Sequence, residues 1–478
     1  MSKVLFALFL TLAWESAVAL QIKSSVSPAE QLAGLKTALV EDKVIIVVVD
    51  SDDLRTKGLA AGQELVTISG IPARKYAEEQ IAPYQFASTP QDLAAQVYSD
   101  KLLAGPKDEP IDVGLTRGDG KVVVQRLARS WGQGRYNLPL VSARLLDGNV
   151  AYVAINSFND PKVVEQFDQA FEETVRGANA LILDVRNNSG GNSNNGYAIL
   201  GYLTDRPHPT SRWQSRSYVP AYRSWGRGLQ WRRSPGGELR PNGKKYFDKR
   251  AVVLTGPRTY SAAEDFCVAF SNMQRGPMVG GTTGGSTGNP LFLRLPGGGG
   301  VTICSKLDSF PDGSQFVGLG INPDVRVTTS VEDIRAGRDP VLEAAMKQLS
   351  LPGWISELQM ALSRSLKTEV RVSSIVTRDD IEGGDHEVIR LAGEGALEKV
   401  EDPFGAVDKI FKPGSWERDI RYDAGGHGSS SGGFRNKDHF CIAAVSIDSL
   451  DTDEETGHIP TMFTFEVDCR DVKPSGEK

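Results

Sequence analysis

Ser261 stands in the segment Arg258-Thr259-Tyr260-Ser261-Ala262-Ala263-Glu264, behind an apolar run that ends at Leu254 and a turn holding Gly256 and Pro257. The spacing beyond it predicts a helix over 261–273. A serine at a helix entry behind a strand end meets unpaired backbone N–H groups and the positive end of the helix dipole. Both stabilise an alkoxide and the oxyanion of a tetrahedral intermediate. Ser-x-x-Glu is also the spacing of a capping box, in which Ser261 and Glu264 only satisfy the helix end. A second segment, Leu181-Ile182-Leu183-Asp184-Val185-Arg186-Asn187-Asn188-Ser189-Gly190-Gly191-Asn192, reads as a buried strand closing in a polar turn. Gly190 and Gly191 let the backbone aim an N–H into a cleft, as an oxyanion site requires. An ordinary strand-to-helix loop has the same composition.

The elements that must position these groups alternate. From Gly148 onward, strands at 149–155, 178–185 and 251–254 are separated by helical patterns at 163–175 and 194–203, which predicts an α/β domain. The run 178–185 is apolar almost throughout, as a strand buried on both faces should be. A helix over 341–349 closes this domain, and a separate accessory domain of α+β type is expected over 353–478, with a Gly/Ser-rich loop at 424–433. Ahead of it, residues 35–130 hold short β runs and turns: the run 44–49, the turn and strand from Gly58 to Pro72, a helical stretch at 89–103, and a hairpin formed by 111–116 and 121–126.

Four motifs together resemble the carboxy-terminal processing and tricorn-like serine peptidase family: the two segments above, then Val279-Gly280-Gly281-Thr282-Thr283-Gly284-Gly285-Ser286-Thr287-Gly288, then Asp312-Gly313 with Gly318-Leu319-Gly320-Ile321-Asn322-Pro323-Asp324-Val325. They fall in the family's order, over about residues 35 to 350. The region 35–130, with Gly58-Leu59-Ala60-Ala61-Gly62, resembles a PDZ module of the bacterial protease kind, which binds peptide ends by strand addition. The resemblance implies a ClpP/crotonase-like protease core at 140–350 and an endopeptidase acting on polypeptides, possible capture of chain ends included. Ser261 is the implied nucleophile, with oxyanion donors from Gly190 or Gly191 and from Ala262. Glu264 keeps its capping role, and Gly58, Leu59, Gly284 and Gly285 are the implied substrate contacts. No cofactor is implied.

The general base departs from the family pattern. Processing peptidases carry a lysine where this chain has Ser286, so a Ser-Lys dyad at that place is excluded. Tricorn-like members take a histidine from ahead of the PDZ-like module and an acid just before the last Gly-x-Gly. Here no histidine precedes that module, and the acid position is Val317. His208, between Pro207 and Pro209, and Lys306, on a strand predicted over 301–306, are the remaining candidates. A lysine base would need a buried setting. The alternative function is a catalytically incomplete peptide-binding protein that keeps the fold.

Two further patterns carry no chemistry. Gly284-Gly285-Ser286-Thr287-Gly288 matches a nucleophile elbow, but Asn289-Pro290-Leu291-Phe292-Leu293 reads as a strand where the elbow needs a helix. His427, His439, Cys441, His458 and Cys469 fit no standard zinc spacing. Cys441 and Cys469 flank one strand-rich stretch and are expected to lie on neighbouring strands.

Met1-Ser2-Lys3, an apolar run from Val4 to Trp14 and Ala17-Val18-Ala19 form the parts of a secretory signal peptide at 1–19, cleaved after Ala19. The run is too short for a bilayer, which takes about twenty residues, and no later segment is a transmembrane candidate. A secreted or periplasmic location follows. The net charge of -6 argues against a nucleic-acid partner. Arginine is dense from 212 to 233 but interleaved with Trp and Tyr, the composition of a cleft rim. Oligomeric state is not encoded in any of these patterns.

Overall fold

The computed structural model describes residues 20–23, 34–85, 87–106, 109–118, 120–129, 138–294, 300–379, 381–411, 415–426, 428–447 and 461–472. The expected signal peptide, His427 and His458 lie outside them. The chain divides into two units, Met1–Pro323 with Val327–Leu349, and Asp324–Arg326 with Ser350–Lys478.

In the first unit, β1 (Leu35–Val40) and β2 (Lys43–Val49) form a hairpin. A short helix, α1 (Asp52–Thr56), follows. A separate antiparallel sheet contains β3 (Leu65–Ile68), β4 (Ile111–Thr116) and β5 (Val122–Leu127). Between β3 and β4, Thr89 caps α2 (Pro90–Ala94) by accepting a hydrogen bond from the Asp92 N–H at 3.2 Å. Ile46, Leu65, Ile68, Val97, Val113 and Leu115 form a core of their own beneath these elements.

The second part of this unit is an α/β layer. Its sheet runs β6 (Val141–Leu146), β7 (Val150–Ile155), β8 (Ala180–Asp184), β11 (Ala251–Thr255), β12 (Met278–Gly280), parallel except for the β6–β7 pair. Every residue of β8 and β11 is buried, so truncating one of their leucines to alanine would cost about 2–5 kcal/mol. Helices α3 (Lys162–Ala170), α4 (Ser193–Leu200) and α5 (Ala262–Met273) supply the apolar partners, with Phe158, Phe167, Phe266 and Phe270 fully buried. An arginine-rich ribbon, β9 (Arg212–Ser217) with β10 (Gln230–Ser234), inserts between α4 and β11 in the chain. After β12 come β13 (Pro290–Arg294), β14 (Gly300–Cys304) and β15 (Lys306–Ser309), the last pairing with β9. The predicted strand over 301–306 is therefore two strands broken at Ser305, and the segment after the Gly-x-Ser-x-Gly match is a strand, not a helix.

Asp184, the last residue of β8, lies in register with Leu254, the last but one of β11, so the loops that follow the two strands leave the sheet side by side. Arg186 locks the first of these loops. Its guanidinium pairs with Asp184 at 2.7 Å and with Asp339 at 2.8 Å, just ahead of α6 (Pro340–Ser350). This forked pairing to two carboxylates is geometry that a lysine cannot reproduce. Helix α6 belongs to this unit, as the expected closing helix.

The second unit holds α7 (Gly353–Leu366) and an antiparallel sheet ordered β16 (Arg371–Arg378), β17 (Asp385–Ala396), β21 (Met462–Asp471), β20 (His439–Ile447), β19 (Ser429–Arg435), β18 (Glu417–Gly426). Ile355, Leu358, Leu362 and Leu366 line one face of α7 and join the sheet's core. Cys441 and Cys469 face each other across β20 and β21 and are disulfide-bonded, with Cα atoms 4.1 Å apart, as expected from their positions. The described residues of the Gly/Ser-rich segment 424–433 belong mostly to the β18–β19 hairpin, not to an open loop. Gly433 is required by packing, since a Cβ there would lie 2.9 Å from the Tyr422 ring. His439 stacks on Trp354 with ring centroids 3.9 Å apart.

Candidate active site

Ser261 occupies the turn between β11 and α5 with φ 56° and ψ −122°, a conformation costly for any residue with a Cβ. Strain of this kind needs fastenings around it. The Tyr260 N–H donates to the Asn188 carbonyl at 3.1 Å, and the Ser261 N–H donates to the Ser286 carbonyl at 3.1 Å. Thr259 Oγ1 donates to the Val185 carbonyl at 2.9 Å. The three loops after β8, β11 and β12 thus converge on one residue.

Ser261 and Glu264 stand in the expected capping-box arrangement. Glu264 Oε2 accepts the Ser261 N–H at 3.3 Å. The return contact, from the Glu264 N–H to Ser261 Oγ, is looser than a full hydrogen bond, because that N–H donates to the Ser261 main-chain oxygen at 2.7 Å. Glu264 does more than cap: it is wholly buried and accepts from Thr283 Oγ1 at 2.6 Å, the Gly285 N–H at 2.7 Å and the Ser286 N–H at 2.8 Å. Burial pushes its carboxyl up to about 7, against the opposing pull of those donors. One carboxylate therefore staples the glycine-rich loop to the first turn of α5.

Beside Ser261, the glycine turn is as close as backbones allow. A Cβ on Gly190 would lie 2.7 Å from Ser261 Cβ and 2.8 Å from the Ala262 nitrogen. Gly190 (φ 96°) and Gly191 (φ 133°) both need conformations that favour glycine. The Gly190 N–H is already committed to Asn188 Oδ1 at 2.9 Å, so of the two glycines only Gly191 keeps its N–H free. Among the described residues, the N–H groups of Gly191 and Ala262 have no hydrogen-bond partner. Asn188, fully buried, also donates to the Ile155 carbonyl at 3.1 Å. Its organising part went unread in the sequence, although the Asn-x-Gly-Gly spacing carried the signal.

Several expected site residues have other occupations. Gly58 and Leu59 end α1: the Gly58 N–H donates to the Arg55 carbonyl at 2.9 Å and the Leu59 N–H to the Leu54 carbonyl at 3.1 Å. Gly58 has φ 84° and the Leu59 side chain is buried, the pattern of a helix stop with its apolar contact. They are not free to hold a chain end. Gly284 and Gly285 are also spent. The Gly284 N–H goes to Thr259 and its carbonyl accepts from Thr89 Oγ1 at 2.8 Å, while the Gly285 carbonyl accepts the Gly318 N–H at 2.7 Å. Gln91 adds bonds to the Thr283 and Leu319 carbonyls at 3.0 and 2.9 Å. The segment after residue 87 thus braces the loop that braces Ser261.

Neither candidate base is bonded to Ser261. His208 is buried, pairs with Thr204 Oγ1 at 3.0 Å, and is held low by that burial. Its neighbour Pro209 accepts from Asn272, at the far end of α5. That is eleven residues from Ser261, or roughly 16 Å of helix rise. Lys306 pairs with the buried Asp308 at 2.7 Å. Asp308 is raised by burial and by Asp265, which in turn accepts from Ser193 and Ser211 hydroxyls, each at 2.7 Å. Among the described residues no group of three or more His, Cys, Asp or Glu is arranged to hold a metal ion.

A parallel α/β sheet with a strained serine at a helix entry, facing a glycine turn from the adjoining strand, defines the class: a domain built like a serine hydrolase. Residues 149–327 match the peptidase family S41. The chain is 27% identical over 183 residues to a chloroplastic C-terminal processing peptidase of Tetradesmus obliquus, covering 38% of this chain and 36% of that protein. It is 27% identical over 255 residues to a carboxyl-terminal-processing protease of Synechocystis, covering 52% of this chain and 55% of that protein. The chain thus spans about a third to a half of the length of these relatives. The solved structure of mature CPAF complexed with lactacystin shares the fold, with a TM-score of 0.52 at 16% identity over 70% of this chain and 84% of that one.

Proposed function

We propose that the chain is a serine-type endopeptidase acting on polypeptides, with Ser261 as its nucleophile. The observation that carries this reading is Ser261 itself: a strained residue at the head of α5, beside the N–H groups of Gly191 and Ala262, which have no partner among the described residues. In this reading Ser261 Oγ attacks a peptide carbonyl. The N–H groups of Ala262 and Gly191 receive the oxyanion, in a place where donors are already fixed and need no reorganisation. The helix dipole adds to the same stabilisation. Glu264 holds the glycine-rich loop and does not touch the substrate.

The family match supports a ClpP/crotonase-like description of the core and a PDZ-like description of residues 35–130. In the latter, peptide capture by strand addition does not use Gly58 or Leu59. The Cys441–Cys469 bridge supports an exported, oxidising location. The test is hydrolysis of an unfolded protein such as casein by the full chain, with Ser261→Ala as control. Activity in the wild type and none in the variant is expected, and equal activity in both would overturn the assignment.

The reading of a non-cleaving peptide binder rests on one observation: among the described residues, no lysine, histidine or carboxylate is hydrogen-bonded to Ser261 Oγ. It predicts capture of peptides with no turnover.

A further inference from the structure

The arginine-rich ribbon is unlike the rest of the molecule. The chain carries a net charge of -6, yet residues 212–234 contain arginines and no lysine, aspartate or glutamate. Arg216, Arg223, Arg227, Arg232 and Arg233 are exposed and form no ion pair among the described residues. Three of them lie over aromatic rings instead. Arg216 lies 5.5 Å from the Trp231 centroid, Arg232 lies 5.6 Å from that of Trp213, and Arg227 at the tip covers both Tyr222 and Trp225, at 4.8 and 5.5 Å. A guanidinium stacked on a ring keeps its edge N–H groups free for carboxylates.

The ribbon's geometry suits an extended partner. Among the described residues β10 ends its sheet, which is ordered β10-β9-β15, so its outer edge offers main-chain groups that none of them pairs. Alternation along paired strands places an arginine on each face: Arg232 opposite Ser215 on one, and Arg233 opposite Gln214 on the other. The ribbon's root is tied to the site. Ser211 Oγ donates to Asp265 at 2.7 Å, one helical turn beyond Ser261, and Trp213 pairs with Asp308 on β15. Six strand residues then carry the ribbon roughly 20 Å outward.

We propose that the β9–β10 ribbon is a docking surface for an acidic, extended polypeptide segment, added as a strand to the edge of β10. The proposal rests on the peptidase reading in one respect, that the docked chain is the substrate. The ribbon also exposes Tyr218, Trp225 and Leu229, but a polypeptide fits better than an anionic membrane because burying these side chains in lipid would also bury the guanidinium groups stacked beside them. The free edge would also go unused on a lipid surface.

The test is binding and needs no turnover. A fluorescein-labelled peptide alternating Glu and Thr is titrated by anisotropy against the full chain carrying Ser261→Ala, beside its Lys-Thr counterpart and phosphatidylglycerol vesicles. The Glu-Thr peptide is expected to bind, increasingly weakly as salt rises, and the Lys-Thr peptide is not. Arg216→Ala, Arg232→Ala and Arg233→Ala combined should weaken binding about tenfold, given the modest strength of each exposed pair. Glu at the same three positions should reverse the preference towards Lys-Thr, which a misfolded variant could not do. No binding of Glu-Thr, binding unchanged by the triple substitution, or ribbon-dependent binding to vesicles alone would each overturn the proposal. Failure here leaves labelling of Ser261 untouched, so the two readings fall separately.

Discussion

Glu264 Oε2 takes the main-chain N–H of Ser261 at 3.3 Å, in a capping-box arrangement whose other arm, from the Glu264 N–H to Ser261 Oγ, is looser than a full hydrogen bond. The same carboxylate reaches on to three groups of the glycine-rich loop. Ser261 is thus placed by a residue that also fixes the loop beside it.

Ser261→Ala should cost no more than about 1 kcal/mol, the usual worth of an N-cap hydroxyl, because its contact with the helix is looser than a full hydrogen bond. Ser261→Gly should be more stable than Ser261→Ala by about 1 kcal/mol, since only glycine tolerates φ 56° with ψ −122° without strain. Chemical denaturation of the two variants measures the difference. Equal stability would mean that the turn relaxes once the hydroxyl is gone.

Glu264→Ala should destabilise the fold by about 3 kcal/mol or more at pH 5, because it leaves two buried N–H groups and the Thr283 hydroxyl without their acceptor. The pH dependence has a definite sign. A carboxyl raised to about 7 by burial holds its proton in the folded state after the unfolded chain has released it. Its contribution is full below about pH 4.5 and is lost as pH rises through about 7, roughly 3 kcal/mol in all. Wild type should lose that much relative to Glu264→Gln between pH 4.5 and 8, with the other carboxylates common to both. Parallel curves would contradict the buried titration.

Gly190→Ala should abolish activity and lower stability, since its Cβ would fall 2.6 Å from the Tyr260 carbonyl and 2.7 Å from Ser261 Cβ. Neither neighbour is the end of a flexible side chain. A folded, fully active Gly190→Ala variant would show that the glycine turn does not set the position of Ser261.

The strands and helices of the α/β layer were legible from their apolar runs: β8 is apolar up to Asp184, and α5 is buried without a break from Ala262 to Phe270. Ser261 was legible as the residue at the head of such a helix, and its role only through the resemblance carried by the four motifs. What chain order conceals is which partner a polar group takes. Ser-x-x-Glu looks the same whether the hydroxyl caps or stands free, and Gly58-Leu59 looks the same as a helix stop or a carboxylate loop. Small residues also mislead. The segment 424–433 reads as a loop until Tyr422 is placed against Gly433, where a Cβ would lie 2.9 Å from the ring and glycine is what the strand needs.

Reducing the Cys441–Cys469 bridge, or replacing Cys469 with Ser, should lower the stability of the second unit by about 3 kcal/mol, the usual scale for a loop of this size. Limited proteolysis of the reduced chain should then leave a resistant fragment ending near Leu349, where the first unit ends. Loss of the first unit at the same rate would show that the two do not fold separately.

The most direct measurement is treatment of the full-length folded chain with an alkyl fluorophosphonate, followed by mass spectrometry of the digest. The adduct is expected on Ser261 alone and is expected to vanish in Ser261→Ala. An unlabelled Ser261 in folded protein, or an equal adduct in the variant, would contradict an activated serine at the head of α5.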